Sequence, residues 1–231
     1  MHAQYYPMFV SLKKRVCLVV GGGAVGERKV RGLLPYGATL RLVAEELTPW
    51  LQAQCDQGTV LLVGKRYRKG YLEDVDLVFA VTNDFALNRV IAEDAESRRL
   101  WCNMATEPEA GSFIVPSMVQ RGRLTIAVST GGASPAMAVR IKQDLEHEFG
   151  TEWIILLNFM TLLRTTIQSK GLESAQNQQI YRSIAELPLP EWLRSGEEIR
   201  IIEAISDTCH PWVSLKELKQ IWNEAWKQSS W

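Results

Sequence analysis

The residues best suited to chemistry in this 231-residue chain are Gly21, Gly22, Gly23, Ala24, Val25 and Gly26, which follow the apolar run Val16–Val20 without a break. Their spacing is G-x-G-x-x-G. In such a loop the first glycine permits a tight turn. The second lets a pyrophosphate approach the backbone, and the third lets helix and strand pack closely. The helix beginning there offers unpaired N–H groups and a partial positive charge to phosphates. Strand, loop and helical pattern are in register, which is the context a dinucleotide fingerprint requires. A second candidate pair is Glu45-Glu46, just past Leu40-Arg41-Leu42-Val43-Ala44. Either an acid there takes the adenosine ribose 2′-hydroxyl and favours NAD over NADP, or both glutamates start the next helix. Arg41 would favour NADP, but strand alternation makes it equally a surface residue.

These groups need a scaffold, and residues 1–112 have its rhythm. Short apolar runs at Val16–Val20, Thr39–Val43, Val60–Val63 and Leu77–Ala80 alternate with helical patterns, as in βαβ units with a parallel sheet. Val25, Val30, Leu33 and Leu34 give the first helix its stripe, and Gly37 ends it. Asn83 or Asp84 caps a helix through Ala86–Arg98, and Leu100–Asn103 is a further strand. The expected class is α/β: a Rossmann-type parallel-sheet domain over 1–112, a small α+β dimerisation segment over 113–150 and a helical C-terminal domain over 151–231. In the middle segment Phe113–Pro116 and Leu124–Val128 read as β. Ser134 with Pro135 reads as N-cap and first residue of a helix through Phe149. Beyond it, Trp153–Thr166, Glu197–Ser206 and Ser214–Lys227 read as helices and Leu187-Pro188-Leu189-Pro190 as a linker or turn. Ser214 with Glu217 fits a capping box. The spacing of Trp222 and Trp226 points to packing rather than a stacking platform.

Composition narrows the function classes. Lys plus Arg equals Asp plus Glu at 26 each, so no basic excess points to nucleic acid or an anionic membrane surface. No apolar stretch reaches the ~18 residues of a membrane span, and no signal-peptide pattern opens the chain. A cytoplasmic protein is expected. Cys17, Cys55, Cys102 and Cys209 form no CxxC pair, so neither a zinc site nor a disulfide framework is suggested. The three histidines, His2, His147 and His210, are scattered, and no metal site is expected.

Several further stretches carry a resemblance. They are Pro7-Met8-Phe9-Val10 with Leu12, Gly21–Gly26 followed by Glu27-Arg28-Lys29, Ala80-Val81-Thr82-Asn83-Asp84, Cys102-Asn103, Ser112-Phe113-Ile114-Val115-Pro116-Ser117 and Ala127-Val128-Ser129-Thr130-Gly131-Gly132-Ala133-Ser134-Pro135. In this order, over residues 5–148, the chain resembles the precorrin-2 dehydrogenase family of the siroheme-synthase N-terminal type. The resemblance implies that NAD takes a hydride from precorrin-2, a proton leaves and sirohydrochlorin forms. It also implies a homodimer intertwined through 113–148. Some relatives insert ferrous iron into the product as well. Thr82 then joins Gly21–Gly26 and Glu45 or Glu46 at the cofactor. Asn103, Ser129, Thr130, Gly131, Gly132 and Ser134 become substrate residues, because a substrate with eight carboxylates suits hydroxyls and backbone N–H groups at a helix start.

One position departs from the family pattern. The aspartate expected three residues after Asn103 is Thr106 here, with Glu107 next. Three readings stay open: Glu107 replaces the aspartate, the reaction needs no strong base, or the activity is lost or changed. The last would leave a non-catalytic NAD- and tetrapyrrole-binding partner module. A Rossmann dehydrogenase of small substrates is disfavoured, since Tyr67 and Tyr71 do not form Tyr-x-x-x-Lys.

Overall fold

A computed structural model describes residues 5–229, leaving aside the side chain of Pro108. The described chain divides into two compact units: residues up to Val115 with Gly131–Ala133, and Pro116–Thr130 with Ser134 onward. Residues 113–115 and 131–133 fall in the first unit and the rest of 113–150 in the second.

The first unit is built on five parallel strands in the order β3-β2-β1-β4-β5: β1 (Val16–Val20), β2 (Thr39–Val43), β3 (Val60–Gly64), β4 (Leu77–Ala80) and β5 (Trp101–Met104). Helices α1 (Ala24–Leu33), α2 (Pro49–Asp56) and α3 (Phe85–Ser97) connect them. This is the doubly wound Rossmann order without a sixth strand, with the crossover point between β1 and β4. The central strands are apolar throughout because both faces are covered. Leu18, Val20, Val78 and Ala80 pack under α3, and Cys17, Val19, Leu77 and Phe79 pack on the other face with Val30. Gly37 ends the first helical region with φ +72° after a tight turn over Leu34–Tyr36. Asp84, not Asn83, caps α3, accepting from the Leu87 N–H at 3.1 Å.

Glu45 and Glu46 do not start a helix. They lie in the bend after β2, and α2 begins only at Pro49, capped by Thr48. Nor do Phe113–Pro116 form a strand. The Phe113 carbonyl accepts from Asn103 Nδ2 at 3.0 Å, and its ring meets Phe79 edge-on at 5.5 Å. Pro116 has no N–H for a ladder.

The second unit opens with an antiparallel hairpin, β6 (Ser117–Arg121) and β7 (Leu124–Val128), then α4 (Pro135–Glu148). Helices α5 (Glu152–Ser169), α6 (Ser174–Ala185), α7 (Leu189–Arg194), α8 (Glu198–Cys209) and α9 (Leu215–Lys227) follow. The stretch expected as a linker at 187–190 leads into α7, whose Pro190 falls in the first turn, where a missing N–H costs nothing. Ile155, Phe159, Leu163 and Ile167 recur every four residues on α5 and form the core with Leu218 and Trp222 of α9. The Trp222 ring meets Phe159 at 5.1 Å and its Nε1–H donates to Glu198 at 2.9 Å. Trp222 is a core residue, whereas Trp226 is 38 % exposed.

The capping box at Ser214 is present, and Lys170 adds an ion pair to Glu217 at 2.6 Å. That ammonium first, then the Ser214 N–H and hydroxyl, pulls the Glu217 carboxyl down to about 2. A lowered carboxyl stabilises the fold above its unfolded value of about 4.3, and the benefit is lost as pH falls through the folded value. Ser214→Ala is expected to lower stability by about 1 kcal/mol at neutral pH. Urea unfolding should show that deficit narrowing as pH drops from about 4 toward 2.

Candidate functional site

Three of the four loop glycines are required by the protein itself. Gly21 leaves β1 at φ +127°, where a side chain would be strained and would meet the Val81 carbonyl. A Cβ on Gly22 would run into the Glu46 carbonyl and the Ala44 side chain, and one on Gly26 into the Gly21 carbonyl. Gly23 differs. Its backbone is ordinary, at φ −80° and ψ −170°, and no atom lies within 4 Å of the place its Cβ would take. It is also the N-cap of α1, with no side chain capping the helix. Open space at an uncapped helix start, with Ala24 and Val25 forming the first turn, fits a pyrophosphate.

Beside the loop, the end of β4 is held by a residue the sequence reading missed. Asn88 is fully buried on α3. Its Oδ1 accepts from the Thr82 N–H at 3.0 Å and the Thr82 hydroxyl at 2.8 Å, and its Nδ2 donates to the Thr82 carbonyl at 2.9 Å. Thr82 is therefore fixed at both backbone groups. A cleft of about 170 Å³ opens here at the C-terminal edge of the sheet, lined by Val25, Val81, Thr82, Asn83, Phe85, Ala105 and Thr106. It brings the phosphate loop, Thr82 and Thr106 together.

Glu107 is not among the residues lining that cleft. Its carboxylate makes a two-point pair with Arg89 of α3, at 2.6 and 3.0 Å, along a trough on the outer side of β5. The Arg89 hydrogen bond holds its carboxyl below the usual carboxylate range. Asn103 is buried one residue before the end of β5. Its Nδ2 secures Phe113, and its Oδ1 has no partner among the described residues. On the same face the Lys29 ammonium stands 5.8 Å from the centroid of the Phe79 ring. Burial, and then the charge of Arg28, pushes Lys29 down to about 8.

At the β2 end, Glu45 accepts from Arg66 at 3.4 Å, while Glu46 is exposed and contributes its carbonyl against Gly22. Arg41 is turned away, donating to the Glu73 carbonyl at 2.8 Å. In the turn before α4, the Thr130 hydroxyl bonds the Ser134 carbonyl at 3.0 Å, and Ser134 caps α4 by accepting from the Met137 N–H at 3.3 Å. Both hydroxyls serve the turn itself. Gly131 and Gly132 take φ +60° and +88°, and Ser129 directly precedes them. His147 and His210 are exposed, and His2 lies outside the described residues. No metal-holding group of three His, Cys, Asp or Glu occurs among the described residues.

Residues 8–117 match the family model described as "Putative NAD(P)-binding", and residues 121–148 match one described as "Sirohaem biosynthesis protein central". Siroheme synthase of Chromobacterium violaceum is 32 % identical over 195 residues, which cover 84 % of this chain and 42 % of that protein. Siroheme synthase of Escherichia coli O1:K1 is 44 % identical over 142 residues, 62 % of this chain and 31 % of the relative. Over residues 8–148 the chain is similar to siroheme synthases.

Gly21–Gly26 lie within the segment that matches the model described as "Putative NAD(P)-binding". The chain spans less than half the length of the siroheme synthases it matches. A solved structure of SirC, precorrin-2 dehydrogenase, shares the fold beyond the matched segments: its TM-score is 0.72 at 24 % identity, covering 96 % of this chain and all of that one. Thr106 lines the cleft, and the nearest carboxylate in sequence, Glu107, is engaged by Arg89.

Proposed function

We propose that this chain is an NAD-dependent precorrin-2 dehydrogenase that forms sirohydrochlorin. The observation that carries the reading is the shared cleft of Val25, Thr82 and Thr106, in a chain whose matched segments are those of siroheme synthases. NAD, when bound, supplies the acceptor for a hydride from the substrate. Gly23 leaves room for the pyrophosphate, Glu45 takes the ribose, and Asn88 keeps Thr82 in place at the cleft. The turn at residues 129–134, ahead of α4, receives substrate carboxylates. Asn103 acts on the substrate side by holding Phe113 through its Nδ2.

The proton leaves to water. Hydride loss makes the substrate an acidic cation, Thr106 cannot act as a base near neutral pH, and Glu107 is weakened as a base by Arg89. Mixing the protein anaerobically with precorrin-2 and NAD should raise NADH absorbance above a heat-killed control; no rise refutes the proposal. Glu107→Gln should leave turnover within about twofold, and Thr106→Asp should likewise change kcat little, because proton loss to water needs no added carboxylate. A large loss in Glu107→Gln would restore Glu107 as the base.

We further propose a homodimer. Met137 and Ile141, one turn apart on α4, are 54 % and 39 % exposed, and Val139 is 48 % exposed. Such apolar side chains suit a subunit contact. Light scattering should give twice the 26.1 kDa of one chain. A cytoplasmic setting suits NAD and the four free cysteines.

A further inference from the structure

The end of β2 carries two opposite charges where one usually suffices. In Rossmann domains an acid after the second strand takes the 2′-hydroxyl of NAD, while a nearby arginine accommodates the 2′-phosphate of NADP. Here Glu45 follows β2 by two residues and Arg66 follows β3 by two residues. The Ala44 N–H donates to the Gly64 carbonyl at 3.1 Å, so the two strand ends are tied and the side chains meet. The same bend abuts the phosphate loop, because Glu46 and Ala44 lie against Gly22. Both partners are exposed, Arg66 at 82 % and Glu45 at 63 %, and the pair is long at 3.4 Å. Exposed pairs of this kind hold weakly. A phosphate, with more charge and three acceptor oxygens, competes well for a guanidinium. Arg41, the cation on β2, is committed to the Glu73 carbonyl.

We propose that Arg66 gives this chain NADP as a second ligand: Glu45 receives the 2′-hydroxyl of NAD, and Arg66 turns from Glu45 to a 2′-phosphate. This rests on the dinucleotide reading of Gly21–Gly26. The test is calorimetric titration of the full chain with NAD and with NADP, without substrate. The wild type should bind both with Kd values within about tenfold of each other. Arg66→Ala should weaken NADP at least tenfold and change NAD less than twofold. Arg66→Lys should recover most of the NADP affinity, and Glu45→Gln should weaken NAD while sparing NADP. Raising salt should weaken NADP more steeply than NAD, since the extra contact is an exposed charge pair. A wild-type preference for NAD beyond tenfold overturns the proposal, and so does an Arg66→Ala effect equal for both ligands. If the wild type binds neither, the dinucleotide reading itself falls.

Discussion

Gly23→Ala should abolish cofactor binding in a protein that folds as well as the wild type. Gly23 has backbone angles any residue adopts, and its Cβ direction is empty to 4 Å. Stability should therefore change by no more than about 0.5 kcal/mol, the usual range for surface changes away from special features. The added methyl group, however, stands where the pyrophosphate must approach the backbone. A loss of at least about a hundredfold in NAD affinity is expected, equivalent to roughly 2.7 kcal/mol. Gly26→Ala should behave oppositely. Its Cβ meets the Gly21 carbonyl, so α1 must move away from the loop. Overpacking against backbone costs about 3 kcal/mol, and binding falls with it. Thermal melts with and without NAD separate the cases. At 100 times Kd a ligand adds about 2.7 kcal/mol to stability. The wild type should gain it, Gly23→Ala should melt normally and gain nothing, and Gly26→Ala should melt low from the start. Normal NAD binding by Gly23→Ala would remove the loop from the cofactor site.

That contrast shows which parts of the molecule were legible in the sequence. Local signals were. Val16–Val20 running into G-x-G-x-x-G placed β1, the loop and α1 correctly, because a buried parallel strand and a tight βα turn leave local marks. Ser134-Pro135 and Ser214 with Glu217 likewise named their caps. Polar helices were not legible: α6 buries only Ile180 and Ile184, so its apolar stripe is too thin to recognise. The segment Phe113–Pro116 has strand composition, yet its hydrogen bond goes to an asparagine side chain on another element. The site suffered most where side chains pair across elements. Arg89 and Glu107 are 18 residues apart, and Glu45 and Arg66 are 21 apart. No spacing rule links such partners; only the packed sheet brings them together.

Asn88 is the sharpest case of this kind, and its removal should damage fold and site at once. The side chain is fully buried and answers the N–H, hydroxyl and carbonyl of Thr82. Asn88→Leu keeps the volume but leaves two backbone groups unpaired. At roughly 1–3 kcal/mol for each such group, a loss of about 3 kcal/mol is expected. NAD affinity should fall at least about tenfold as the end of β4 loosens beside the loop. Asn88→Asp adds a pH signature. Its carboxylate still accepts from the Thr82 N–H, but its second oxygen faces the Thr82 carbonyl. Protonation turns that oxygen into a donor and removes a buried charge, so the folded pKa must lie above the unfolded value of about 3.9. A carboxyl raised on folding leaves the variant most stable below the unfolded pKa and costs it stability as pH rises through the folded one. In urea unfolding, the deficit of Asn88→Asp should shrink on acidification while that of Asn88→Leu stays constant. Equal, pH-independent losses in both variants would mean that Asn88 merely fills space under Thr82 and does not hold it by hydrogen bonds.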